Sequence, residues 1–185
     1  MGTDQEAEHP HLRRARFEAL TRDELMEPLR RYVARRTDPA TADDVLAETL
    51  LVCWRRLDEL PEQPLPWAYG VARNCLANAQ RSVRRQQRVA ARLAVVDPPR
   101  ESGGPAGSRD DTLHDALDRL RAEDAELLRL WAWEQLTPAE IAIVLDVTAN
   151  AVSIRLHRAR EKLREEIGKV EAGAGHEESE GGSSR

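Results

Sequence analysis

Asn150, Ile154 and Arg158 fall four residues apart within LTPAEIAIVLDVTANAVSIRLHRAR, residues 136–160. A helix through them aligns an amide, a branched alkyl group and a guanidinium along one face. Those groups match what base-pair edges present in a major groove: Asn and Arg hydrogen-bond purine edges, and an alkyl group packs on a thymine methyl. Ile154 carries the most information, because an apolar side chain turned away from a core is costly in water. At 100° per residue, Ala149, Val152, Leu156, Ala159 and Leu163 form the stripe expected to be buried. Asn150, Ile154, His157, Arg158 and Glu161 point the other way. Ser153, Arg155, Arg160 and Lys162 flank that face, where they are placed to hold phosphates on either side of a groove. The bland alternative is an ordinary amphipathic hairpin whose arginines are simply solvated.

The element that must present this face begins earlier. Thr137 is a good N-cap, Pro138 suits the first helical position, and Glu140 lies three residues after the cap to complete a capping box. Ile141, Val144 and Leu145 recur at helical spacing, and Ala142 is small enough for a second helix to cross closely. Asp146-Val147-Thr148 supplies the turn, so the whole reads as a helix-turn-helix. Such turns usually carry Gly where Asp146 stands, because a left-handed residue is easiest without a Cβ.

A second face suited to phosphates lies upstream. In the helix expected over about 66–92, Ala68, Val71, Ala72, Cys75, Leu76, Ala79 and Val83 make one stripe, and Arg73, Asn74, Arg81, Arg84 and Arg88 gather opposite. From Val71 to Arg92 there are six Arg and no acid. The usual i,i+4 ion pairs are therefore missing, and a polyanion is the natural counter-partner. The helix expected over about 42–58, with Thr41 and Asp44 as its capping box, has the core stripe Leu46, Leu50, Cys53 and Leu57. Leu51, Val52 and Trp54 extend its apolar surface well beyond that stripe, which periodicity reads equally as a second burial, within the chain or against a partner, or as a broad core beside a solvated charged strip. Asp44, Glu48, Leu51 and Arg55 occupy the side opposite the stripe.

Composition bounds the function classes. The chain has 185 residues, 33% charged and 4% aromatic, with a formal net charge of −5. That suits one or two small helical domains. Acidic residues concentrate near the N-terminus, in 43–62, in 110–126 and in the tail, so basic faces survive on an acidic chain. No apolar run approaches a membrane span, and the polar N-terminus lacks a secretory core, which makes a cytoplasmic location the expectation. Cys53 and Cys75 lack CxxC spacing and read as buried reduced thiols. His9 and His11 have no further ligand at plausible spacing, so no metal site is expected. No catalytic residues, cofactor site or phosphate-cradling Gly loop is legible, and an enzyme is not expected.

The expected fold class is all-α: two small helical domains joined by a flexible linker. The first spans 13–93, with helices over 13–36 (broken near Pro28), 42–58 and 66–92. Residues 94–111 form the linker, since Asp97–Asp111 is rich in Pro, Gly and Ser. The second domain spans 112–167. In it, Asp111 or Thr112 caps a helix bearing Leu113, Leu117 and Leu120. A helix over about 122–135 bears Leu127, Leu128, Leu130 and Trp131, and the helix-turn-helix follows. Trp131 and Trp133 cannot share a face, so one is expected to be partly exposed. The tail, 168–185, is expected to be disordered.

Three stretches, ATADDVLAETLLVCWRRLDEL, PWAYGVARNCLAN with RSVRRQQR, and LTPAEIAIVLDVTANAVSIRLHRAR, together resemble bacterial RNA polymerase sigma factors of the extracytoplasmic-function type, group IV of the sigma-70 family. The resemblance implies a first domain (region 2) that binds core RNA polymerase and opens the −10 promoter element. It implies a second (region 4) that reads the −35 element. Asp44, Glu48 and Leu51, with Arg55 beside them, then lie on the helix that docks on the polymerase clamp, where Ala47 departs from the Gln of many members. Asn74 matches the Asn of the family's xARN motif, with Arg73, Arg81, Arg84 and Arg88 on the same −10 face. Asp58–Leu65 corresponds to the loop that captures a flipped base. Asn150, Ser153, Ile154, Arg155, His157, Arg158, Arg160 and Lys162 form the −35 set. Promoter DNA and core polymerase are the implied partners, an anti-sigma factor is left open, and no membrane is involved. The competing readings are a helix-turn-helix regulator that is not a polymerase subunit and a purely protein-binding adaptor.

Overall fold

A computed structural model describes the backbone of residues 3–93 and 109–177, and the side chains of 10–88 and 113–169. Among the described residues there are eight α-helices and no strands: α1 Thr3–Leu20, α2 Met26–Ala34, α3 Pro39–Arg55, α4 Pro64–Leu93, α5 Arg109–Asp118, α6 Ala122–Ala132, α7 Pro138–Leu145 and α8 Ala149–Glu177. The chain divides into two compact units, Met1–Asp97 with Ile143–Asp146, and Pro98–Ala142 with Val147–Arg185.

In the first unit, the break expected near Pro28 is a π-helical turn over Thr21–Leu25. Proline cannot donate to the carbonyl four residues back and its ring crowds that carbonyl, so the widened turn just before α2 absorbs the mismatch. The N-cap of α3 is Asp38, not Thr41: its carboxylate accepts from the Thr41 amide at 3.1 Å. Pro39 at the first helical position loses no bond there, which makes the earlier start favourable. The buried residues of α3 are Ala42, Val45, Leu46, Thr49 and Cys53. This stripe is rotated from the expected one toward Val45 and Thr49, and Leu50 is only half-buried. The Thr49 hydroxyl escapes the cost of burial by donating to the Val45 carbonyl at 2.7 Å.

Leu25, Leu29, Tyr32 and Val33 close the core against Ala68, Tyr69, Ala72, Cys75 and Leu76 of α4, with the Tyr32 and Tyr69 rings 5.0 Å apart. Val83, expected in the α4 stripe, is exposed, because the helix has left the core by that point.

The second burial open to α3 is intramolecular for Trp54. Phe17 meets it edge-on at 5.3 Å, and the Arg13 guanidinium lies 4.7 Å from its ring. Arg13 also donates to the Trp54 carbonyl at 2.9 Å and pairs with Asp58 at 3.2 Å, while Arg16 reaches Asp58 at 3.4 Å. Arg13 thus satisfies the C-terminal end of α3, where carbonyls lack helical partners, and Arg16 holds the turn that follows it.

In the second unit, α5 begins at Arg109, before the expected cap at Asp111 or Thr112; the expected linker up to 108 lies outside the described residues. Ala116, Leu117, Ala125, Leu127, Leu128, Leu130, Ile141, Val152, Leu156 and Ala159 are buried. Trp131 is 37% exposed and Trp133 half-buried, in line with their spacing. α6 stops at Ala132, short of 135, and Gln135 takes a positive φ of 56° after it. α8 runs through Gly168 to Glu177, where disorder was expected. A single helical Gly costs only about 1 kcal/mol relative to Ala, and a Lys169–Glu166 pair at 2.6 Å supports the helix there. Residues 178–185 lie outside the described residues.

Candidate nucleic-acid interface

The capping box of α7 is formed as its sequence requires. The Glu140 amide donates to the Thr137 hydroxyl oxygen at 3.3 Å, and the Glu140 carboxylate accepts from the Thr137 amide at 2.7 Å. At the other end, Asp146 adopts φ 53°, and the Val147 amide reaches back to the Ala142 carbonyl at 3.1 Å. This is a Schellman closure built with Asp in place of Gly. The Thr148 hydroxyl then accepts from the Ala151 amide at 3.2 Å and starts α8. Caps at both ends of the turn fix where α8 begins and therefore which of its faces is free.

That face carries the residues expected from the sequence to contact base edges. Val152, Leu156 and Ala159 are buried and Leu163 is half-buried, while Asn150, Ser153, Ile154, Arg155, His157 and Arg158 are exposed. Ala149, expected in the buried stripe, is exposed because it opens the helix at its free end. Ile154 is 47% exposed. Among the described residues Asn150, Arg155 and Arg158 make no side-chain hydrogen bond or ion pair, so their donors are available. His157 lies 3.4 Å from Glu161, and the Ser153 hydroxyl donates to the Ala149 carbonyl at 3.0 Å. Arg160 and Lys162 are engaged within the unit: the Arg160 guanidinium stacks 4.1 Å from the Trp131 ring, and Lys162 pairs with Asp124 at 2.6 Å. Neither Trp131 nor Asp124 stood out in the sequence. A pair 38 residues apart leaves no periodic trace, and the partial exposure of one Trp was the only hint.

In the first unit Arg73, Asn74, Arg81, Arg84 and Arg88 are all exposed on α4 and fall within about a 100° arc. Arg81 donates to Asn78 at 2.6 Å and Arg88 to the Arg84 carbonyl at 3.2 Å. On α3, Asp44, Glu48, Leu51 and Arg55 are exposed within about a 60° arc, with Leu51 45% exposed. Their spacing of four, three and four residues is that of a helix-packing seam. The loop after α3 is shorter than expected: Leu57–Glu59 is a 3₁₀ turn and α4 takes in Pro64 and Leu65. A cavity of about 400 Å³ lies between that loop and α1, lined by Arg16, Asp23, Glu24, Leu60 and Glu62 among others.

Cys53 and Cys75 are buried. Burial pushes the Cys53 thiol up to about 11 and Cys75 in the same direction, so both remain protonated and unreactive at neutral pH. Among the described residues no group of three or more His, Cys, Asp or Glu is placed to hold a metal.

Residues 110–163 match the sigma-70 region 4 family. The chain is 35% identical over 156 residues to the ECF RNA polymerase sigma factor SigL of Mycobacterium tuberculosis, covering 77% of this chain and 84% of that protein. It is 29% identical over 153 residues to the RNA polymerase sigma-E factor of Streptomyces avermitilis, covering 78% and 79%. The chain belongs to the ECF RNA polymerase sigma factors, and it acts as a sigma factor directing transcription initiation. These relatives lend no support to the alternative of a regulator outside the polymerase. The same fold occurs in the sigma factor RpoE of Bartonella quintana, solved with the anti-sigma factor NepR, at a TM-score of 0.61 and 18% identity over 81% of this chain and 98% of that one. It occurs again in CnrH, solved with the cytosolic domain of CnrY, at a TM-score of 0.54 and 21% identity over 83% and 88%.

Proposed function

We propose that this sigma factor divides its work between residues 13–93 and 112–167. The first domain docks on core RNA polymerase through Asp44, Glu48, Leu51 and Arg55. Their seam spacing on α3 suits a partner helix, with one apolar contact flanked by charges of both signs. The same domain meets the −10 element through Arg73, Asn74, Arg81, Arg84 and Arg88, whose guanidinium groups draw the separated strand along α4. Asp58–Leu65 receives a base turned out of the duplex. The cavity beside it supports that role, since its carboxylates can accept from exocyclic amines.

The second domain reads the −35 element through Asn150, Ile154 and Arg158. Ser153, Arg155 and His157 flank that contact. The observation that carries this reading is Ile154, nearly half exposed between two polar side chains with free donors on a helix capped at its start.

The chain supplies recognition and strand separation, and the polymerase supplies the bond chemistry. It works in the cytoplasm, where polymerase and promoter are found; among the described residues no helix is long and apolar enough to cross a membrane. An anti-sigma factor is a further partner, a reading supported by the two fold relatives solved with such proteins.

Run-off transcription with core polymerase on a promoter library, with and without this chain, tests the reading. Initiation from a defined −35/−10 pair only when the chain is present is expected. Asp44→Arg with Glu48→Arg should abolish capture by core polymerase while leaving the −35 contact of the second domain intact. Unchanged capture by the folded double variant would exclude this face of α3.

A further inference from the structure

Arg160 and Lys162 sit beside the reading face of α8, and in sequence they look like phosphate ligands. Their side chains instead point to α6. The Arg160 guanidinium lies 4.1 Å from the Trp131 ring, in the last turn of α6, and the Lys162 ammonium lies 2.6 Å from Asp124, in its first turn. On the helical wheel the two cations lie on opposite flanks of the buried stripe Val152, Leu156 and Ala159. They are half a turn apart on α8, but their partners are seven residues, about 10 Å, apart along α6. The Asp124 carboxylate also lies at the positive end of the α6 dipole, which favours its charge, and is only 20% exposed.

One contact between crossing helices leaves them free to swivel about it. Two contacts separated along one of them do not. Asn150 lies ten residues from Arg160, about 15 Å along α8. A swivel of about 10° would therefore carry Asn150 through about 2.5 Å, several times the spread of 2.7–3.2 Å over which a hydrogen bond forms. Recognition of base edges by the start of α8 thus requires its far end to be held in angle.

We infer that Trp131–Arg160 and Asp124–Lys162 form a two-point brace that sets the docking angle of the recognition helix, and that Arg160 and Lys162 are positioning residues rather than phosphate ligands. The inference rests on the reading of α8 as the −35 helix. It also assigns Trp131 and Asp124, which touch no DNA, a share in promoter selectivity.

The test measures binding of the full chain, assembled with core polymerase, to a promoter duplex over a series of salt concentrations. Variants are Trp131→Leu, Trp131→Phe, Arg160→Gln, Trp131→Leu with Arg160→Gln, and the charge swap Asp124→Lys with Lys162→Asp alongside its single substitutions. Trp131→Leu and Arg160→Gln should each weaken −35 binding about two- to fivefold, and the double variant should lose no more than either. Trp131→Phe, which keeps a ring face, should retain most of the affinity. The slope of log affinity on log salt should stay unchanged throughout, and the charge swap should recover part of what each single substitution lost, the remainder being the cost of a Lys at the positive end of the α6 dipole.

A phosphate role predicts the reverse: Arg160→Gln lowers that slope by about one, Trp131→Leu has no effect, and the swap binds worse than either single variant. Any of those results overturns the brace. Arg158→Ala separates this outcome from failure of the reading face. If it alters base preference while the brace variants change nothing, the brace is refuted and α8 still reads the −35 element. If it too changes nothing, both are refuted.

Discussion

Replacing Ile154 by Ala separates recognition from folding more sharply than any other substitution on α8. Full burial of an Ile side chain is worth about 1.5–3 kcal/mol. Ile154 is 47% exposed in the free chain, so roughly half of that, about 1 kcal/mol, is left to be gained on a thymine methyl. Ile154→Ala should therefore weaken −35 binding about fivefold. The loss should concentrate at one or two base positions, because only a T offers the methyl. Folding stability should move by less than about 0.5 kcal/mol, since the side chain touches solvent and Ala is the better helix former.

Val152→Ala is the internal contrast. Val152 is fully buried, so its truncation should cost about 2 kcal/mol of stability and leave base preference as it was. Selection from randomised −35 sequences by the assembled holoenzyme reads preference, and urea unfolding of the chain reads stability. A contact of Ile154 with a thymine methyl is refuted if Ile154→Ala destabilises as much as Val152→Ala, or if the selected −35 sequences are the same with and without it.

Other substitutions reach the first unit. Asn74→Ala should impair promoter opening, followed by permanganate reactivity of the bubble, more than it impairs polymerase capture; normal opening across varied −10 sequences would exclude the role. Arg13→Ala removes the bond to the Trp54 carbonyl, the Asp58 pair and the ring contact together, and should cost about 1–2 kcal/mol in urea unfolding. A loss below about 0.3 kcal/mol would mean that α1 does not hold the end of α3. Hydrogen bonds from Thr41, side chain and amide, hold the Asp38 carboxyl below the usual carboxylate range. Its stabilising contribution is thus complete above the ordinary Asp value near about 4 and is lost as pH falls through the depressed one. Asp38→Asn keeps an acceptor for Thr41 and should flatten that part of the acid melting profile; equal acid slopes in both proteins would refute the assignment.

Periodicity is most reliable where one helix face meets one core. The α8 stripe of Val152, Leu156 and Ala159, the exposed face opposite it and the Thr137–Glu140 box are all legible, because each follows from spacing within a single element. On α3 the apolar pattern misplaces the stripe by part of a turn. Thr49 is polar and falls outside that pattern, yet its hydroxyl is satisfied by the turn below and it packs as an apolar residue would. The start of α3 is ambiguous in sequence because Asp38-Pro39 and Thr41-x-x-Asp44 are both plausible beginnings, and only the proline settles which is used. Arg13, Arg16, Asp124 and Trp131 owe their roles to partners distant in sequence, and no local pattern announces such pairs.

The far end of α4 stands apart energetically from the rest of its helix. Every residue from Gln80 to Arg88 is exposed, so little packing supports that stretch, and its helicity depends mainly on local propensity. Arg81, Arg84, Arg85 and Arg88 stand three and four residues apart, where like charges oppose helix formation. Amide hydrogens beyond Ala79 should accordingly exchange with solvent far faster than those between Ala68 and Leu76. Phosphates laid along the arginines would cancel that repulsion, so a bound polyanion would stabilise this stretch of helix. Polyanion binding there would then draw on helix stabilisation as well as on counterion release, and would weaken as temperature rises and the helix frays.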